Sequence, residues 1–267
     1  MVDGCLLEDI DNFGIATSGA TVSVNACTIR DTGPIGYLGS AGVLTFTDNE
    51  VSGTTGDYAA YHWGPVNDFS GNTITGNDGM PFLVSDATEL RGVSEDNVLA
   101  GNGDNYLMVW NPTADRSVEF PVLDVPIYLK NGLSINPGRS QNPVISILDN
   151  DVLLGQNALL TVGNGAPGGR LEIAGSRLQG LEATAGYWGG IGYFTQNGGS
   201  ITDSEIRDSG SWIAAIWLGN TDSAVIEHNV IANSGGAAIS CYVGCTSIIP
   251  SLSTNQFIGN LGPDWNP

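Results

Sequence analysis

The sequence predicts an all-β chain wound as a single-stranded right-handed parallel β-helix, a solenoid of about ten or eleven coils. Three observations point there. A short template recurs along nearly the whole chain, with an apolar residue, two small or polar residues, a short polar residue, one free position and a second apolar residue. Glycine is abundant, with 38 among 267 residues, against a charged fraction of 13%. The apolar runs are short, alternate with period two and end in glycine or asparagine, which reads as strand and turn rather than helix.

The short polar position falls at Cys5, Cys27, Asn49, Asn72, Asp96, Asn150, Ser176, Ser204, Asn229 and Asn255. Three residues earlier stand Val2, Val24, Phe46, Phe69, Val93, Ile147, Ile173, Ile201, Ile226 and Leu252. Two residues later stand Leu7, Ile29, Val51, Ile74, Val98, Val152, Leu178, Ile206, Ile231 and Phe257. Successive spacings of 22, 22, 23, 24, 54, 26, 28, 25 and 26 residues suit one coil of three short strands, with the 54-residue step covering two coils. A leucine-rich repeat has a similar period, but its Leu-x-x-Leu-x-Leu pattern is missing. In a β-helix the two apolar positions stack on their counterparts in adjoining coils. The polar residue between them turns the corner, and asparagine suits it because it tolerates the left-handed conformation and can bond its own kind one coil away.

Cys5 and Cys27 occupy that position on neighbouring coils. Coil spacing of about 4.8 Å is compatible with a disulfide, and two stacked free thiols fit equally well. Cys241 and Cys245 are close enough in sequence to close a small loop. Two local cysteine pairs suit a secreted protein. His228 alone does not complete a zinc set with them, so no metal site is expected.

The chain reads as one domain over residues 1–267, with an irregular coil or protruding loop at about 104–143. Residues 111–118 are expected to form the loop, and residues 163–169, Gly-Asn-Gly-Ala-Pro-Gly-Gly, a longer turn. Val2 already sits on the template, which suggests a piece of a longer secreted protein. No run of 18 apolar residues exists, so no membrane insertion is expected in this segment. A net charge of −20, with a single lysine among eight basic residues, disfavours nucleic acid as a partner. It also disfavours acidic polysaccharides unless a cation bridges them.

The repeat, together with two segments, resembles the bacterial right-handed parallel β-helix repeat proteins of the pectin lyase-like superfamily. The segments are Ile127 to Gly138, with Tyr128, Gly132, Leu133 and Ile135, and Gly186-Tyr187-Trp188-Gly189-Gly190-Ile191. The resemblance implies an extracellular or bacterial cell-surface location, and it covers scaffold rather than site. The superfamily's enzymes are polysaccharide lyases, polygalacturonases and epimerases. Their Asp-Asp, Gly-His-Gly, Arg-Ile-Lys, Arg-x-Pro-x-x-Arg and Asp-Pro-His-Asp motifs do not occur in this sequence.

For chemistry, the weak catalytic candidates are His62, Lys130 and Arg139, because β-elimination needs a base and a group that neutralises the sugar carboxylate. His62 is expected on the outward face of its strand. Arg30 is expected to pair with Glu8 of the previous coil, and Arg177 with Asp151 and Glu205, as surface ion pairs of little energetic weight. Trp63, Trp110, Trp217 and Tyr242 fall 13 or 14 residues after their template positions. They are therefore expected on one sheet as an aromatic strip for stacking sugar rings. No cofactor is expected, although Asp86, Asp104 and Asp222 could add calcium. The resulting expectation is a non-catalytic extracellular β-helix for surface adhesion or glycan binding, its partner an extracellular polysaccharide or cell-surface glycan. The alternative is a polysaccharide lyase or glycoside hydrolase.

Overall fold

A computed structural model describes the chain apart from residues 112, 136–141, 164–167, 182–186, 195–197, 211–213, 220, 222, 244, 246–251 and 267. The described residues form an all-β parallel β-solenoid of about nine turns, consistent with a right-handed parallel β-helix. Contacts group them into two compact units. The first comprises Met1–Trp110 with Pro121–Ile127, and the second Asn111–Phe120 with Tyr128–Pro267. Among the described residues no helix is long and apolar enough to cross a membrane.

In the first unit the chain visits three parallel sheets in turn. Strands Val2–Asp3, Val22–Asn25, Leu44–Thr47 and Val66–Ser70 make the first sheet, and Leu6–Ile10, Thr28–Thr32, Glu50–Ser52 and Thr73–Ile74 the second. The third carries Ile15–Ser18, Tyr37–Ser40, Tyr58–Trp63, Met80–Asp86 and Leu107–Asn111 in that order. The expected register holds, with Val24 beside Phe46, Phe46 beside Phe69 and Ile29 beside Val51. Inside, three phenyl rings stack, Phe46 on Phe69 at 5.6 Å and Phe69 on Phe82 at 4.0 Å. The short 3-10 helix Ala87–Gly92 had no signature in the repeat. Asp86 caps it, accepting from the Thr88 amide at 3.0 Å, and its Glu89 accepts from the Val66 amide at 2.6 Å.

The polar corner is the inner ladder the template requires. Asn49 donates from its backbone N and Nδ2 to Oδ1 of Asn72, at 3.0 and 3.1 Å. Asn72 does the same to Asn97, at 3.0 and 2.9 Å. The rung is thus Asn97 and not Asp96, because one extra residue separates it from Val93, whose bridge to Phe69 keeps the register. Asp96 instead accepts from the Gly71 amide at the surface. The slip also turns Val98 outward, 46% exposed, and puts Leu99 in the core. A second ladder runs five residues behind the first and was not anticipated. The Thr54 amide donates to Oδ1 of Asn77 at 3.0 Å, and the Asn77 amide to Oδ1 of Asn102 at 3.1 Å.

The second unit repeats the plan. Val118–Glu119, Val144–Leu148, Arg170–Ala174, Gly199–Thr202 and Ala224–Glu227 form one sheet. Another is Thr113–Ala114, Gly132–Ile135, Leu159–Val162, Gly190–Tyr193, Ala214–Gly219, Ala237–Val243 and Trp265–Asn266. Within the segment expected to be a loop, Thr113–Ala114 pairs beside Ser134–Ile135 and Val118 beside Ile145. The turn expected at 163–169 lies largely outside the described residues. Here the ladder first uses hydroxyls, with the Asn150 amide donating to Oγ of Ser176 and the Ser176 amide to Oγ of Ser204, both at 3.1 Å, and then returns to carboxamides at Asn229 and Asn255.

Candidate aromatic groove

Alternation along the strand Tyr58–Trp63 makes the site. A strand sends successive side chains to opposite faces, so Tyr61 and Trp63 point out while His62 between them points in. Neighbouring strands supply the floor. Leu38 and Leu83 are the Cα partners of Tyr61 on either side, so three apolar or aromatic side chains share one outward row. With Ile35, Tyr58, Trp63 and Trp110 they line a groove of about 440 Å³. Trp63 and Trp110 stay 41% and 37% exposed as its walls. Tyr58 stacks on Tyr61 at 5.8 Å, and Tyr61 tilts against Trp63 at 6.4 Å. None of the lining residues is a carboxylate or a cation. Burial, and then the neighbouring Tyr58, pushes the Tyr61 phenol above its ordinary range, so it stays neutral.

His62 is only 1% exposed, which corrects the expectation of an outward histidine. Its Nε2 lies 3.3 Å from the carbonyl of Gly42, and its Nδ1 3.3 Å from the hydroxyl of Tyr37. A carbonyl can only accept, so Nε2 carries the proton and Nδ1 accepts from Tyr37. The Tyr37 hydroxyl in turn lies 3.4 Å from that of Thr17. This chain needs Gly39 beneath it, because a Cβ there would collide with the Tyr37 hydroxyl and the His62 ring. Burial pulls the imidazole below its usual value, although its backbone bonds at Gly42 and Pro65 oppose the shift. Such a residue holds up a strand. It offers no base to an outside substrate.

Lys130 follows strand Ile127–Leu129 and belongs to the second unit, and Arg139 lies outside the described residues. The four aromatics do not share one sheet. Trp63 and Trp110 stand in the third sheet of the first unit, whereas Trp217 and Tyr242 stand in strands Ala214–Gly219 and Ala237–Val243 of the second. Trp217 meets Phe194 edge-on at 5.0 Å and 87°. Tyr242 is 77% exposed beside the disulfide that Cys241 forms with Cys245. Cys5 and Cys27 are free thiols, and the Cys27 sulfur accepts from the Cys5 amide at 3.4 Å as a rung of the ladder.

Of the calcium candidates, Asp86 is engaged as the helix cap, Asp104 is exposed and Asp222 lies outside the described residues. Among the described residues no three His, Cys, Asp or Glu side chains gather as a metal site. Arg30 pairs with Glu8, and Arg177, whose register neighbours are Asp151 and Glu205, pairs with Glu205. One motif element of the resembled hydrolases does occur, Asn-Thr-Asp at residues 220–222, though its first and third residues lie outside the described set. Sequence reading missed Leu38, Tyr58, Tyr61 and Leu83, although the coil period aligns Leu38, Tyr61 and Leu83 as a row. Comparison with protein-family models, curated proteins and solved structures found no match.

Proposed function

We propose that this protein binds a neutral glycan through the Tyr58–Trp63 groove without turning it over, as an extracellular or bacterial cell-surface β-helix protein. The observation that carries the reading is the uncharged aromatic groove on a parallel sheet. Apolar sugar faces are held by exposed Trp and Tyr rings, which offer large contact area at little conformational cost. A lining with no cation gives an anionic sugar nothing to pair with, and the net charge of −20 repels it. A volume of about 440 Å³ falls in the range of small-ligand pockets. The buried His62 removes the best base from the lyase or hydrolase reading. The resemblance to secreted members of the pectin lyase-like superfamily agrees in scaffold and supports the location.

Affinity electrophoresis of the full chain through gels of soluble β-glucan, galactomannan and starch tests this, with polygalacturonate as the acidic control and with and without calcium. Retardation by at least one neutral polymer, without unsaturated product or new reducing ends, is expected. Product from any polymer, or retardation by polygalacturonate alone, would overturn it.

A further inference from the structure

We infer that His62 is the positioning residue of the groove, that only its neutral form keeps the groove assembled, and that acid therefore releases the ligand. The ligand rests on the glycan reading above; the device does not. His62 lies between the two groove aromatics of its strand, so whatever anchors His62 fixes the outward aim of Tyr61 and Trp63. Its anchors run in one direction, from the Thr17 hydroxyl to that of Tyr37, on to Nδ1, and from Nε2 to the Gly42 carbonyl. Protonating Nδ1 sets two donors against each other. Reversing the two hydroxyls would restore a bond but leave the charge unpaired.

Among the described residues, burial and the backbone bonds at Gly42 and Pro65 set the imidazole's proton affinity, and no carboxylate contributes to it. Strand Tyr37–Ser40 contributes Tyr37, titratable but neutral, and Gly39. Strand Met80–Asp86 contributes Val84 as the Cα partner, strand Ile15–Ser18 the Thr17 hydroxyl through Tyr37, and the turns the Gly42 and Pro65 carbonyls. The carboxylate of the short helix, Glu89, accepts from the Val66 amide. An imidazolium buried without a partner is costly and is relieved by moving the group to water. That movement carries the Tyr58–Trp63 strand with it.

The direction of the pH effect follows from linkage. Burial holds the proton affinity of the closed form below that of an open, solvated histidine near 6.5. The open state therefore binds the proton first. The closed groove is fully favoured above about pH 6.5 and loses up to tenfold in its closed-to-open ratio per pH unit below that, until the closed form itself titrates.

The test follows amide exchange of residues 58–63, corrected for intrinsic rate, between about pH 8 and pH 5. Retention on β-glucan gels, or on whichever neutral polymer binds, is followed in parallel. Protection of 58–63 and retention should fall together in the wild type, while strand Ala214–Gly219 keeps its protection. His62→Gln, which keeps a donor and an acceptor but cannot take the proton, should be flat with pH. Should that variant fail to fold, the imidazole resonances of the wild type serve instead, with the exposed His228 as the second signal. His62 should then gain its proton only where protection of 58–63 is lost. An unchanged acid transition in His62→Gln, or a His62 that titrates while protection persists, would overturn the inference. Loss of protection in a protein that binds no polymer at any pH would uphold His62 and remove the glycan.

Discussion

The two units place aromatic residues 13 or 14 positions behind the ladder and use them differently. In the first unit Tyr61 has leucines as both row neighbours, Leu38 and Leu83, so the rings stand around an open apolar floor. In the second, Trp217 has Gly192 and Ser240 as row neighbours. The ring of Phe194 folds into the space Gly192 leaves, where a Cβ would come 2.6 Å from it, and closes against the indole. A similar sequence offset thus gives a groove where both adjoining coils carry leucine and a packed aromatic pair where one of them carries glycine. The ladders differ as well between Asn150 and Ser204, where the second unit uses hydroxyls before carboxamides return at Asn229 and Asn255. A carboxamide has two donors and an acceptor, so Asn72 serves the Asn49 amide, Asn97 and the Phe46 carbonyl at once. Ser176 has one hydroxyl proton for the carbonyls of Ile147 and Ala174.

The largest effect should separate the ladders. Asn72→Ala leaves several buried groups unpaired and should cost about 3 kcal/mol, whereas Ser176→Ala should cost about 1–2 kcal/mol by denaturant titration. Equal losses would erase the distinction. Next, Trp63→Ala should weaken neutral-glycan binding by about tenfold or more with the fold intact, and Trp217→Ala should leave binding unchanged while lowering stability. Gly192→Ala, which must displace Phe194, should cost about 1 kcal/mol of stability and spare the glycan. Smallest of all, Arg177→Ala should shift stability by no more than about 0.5 kcal/mol, because its bond to Glu205 at 3.5 Å is half exposed.

Legibility followed the period. Wherever the template kept its spacing, as at Phe46, Asn49 and Val51, the side-chain directions read from the sequence are those in the structure, since identical coils stack in one register. Asp96 was misread for a single inserted residue, and a one-residue slip reverses every side chain. The second ladder at Thr54, Asn77 and Asn102 was visible as a short polar residue five positions behind each first rung, but residue type alone did not separate it from ordinary turn polarity. For the site, Trp63 and Trp110 were legible as exposed aromatics. His62 was not, because its inward direction depends on Gly39 and Tyr37 in the preceding coil, more than twenty residues away.

The central claim is that the first unit's groove, and not the second unit's aromatic pair, holds a neutral glycan. Calorimetric titration of one retained polysaccharide into the wild type, Trp63→Ala and Trp217→Ala addresses it most directly, with reducing ends assayed in the same cell. The account predicts equal affinity for wild type and Trp217→Ala, loss in Trp63→Ala, and no product. Undiminished binding by Trp63→Ala, or accumulating product, would contradict it.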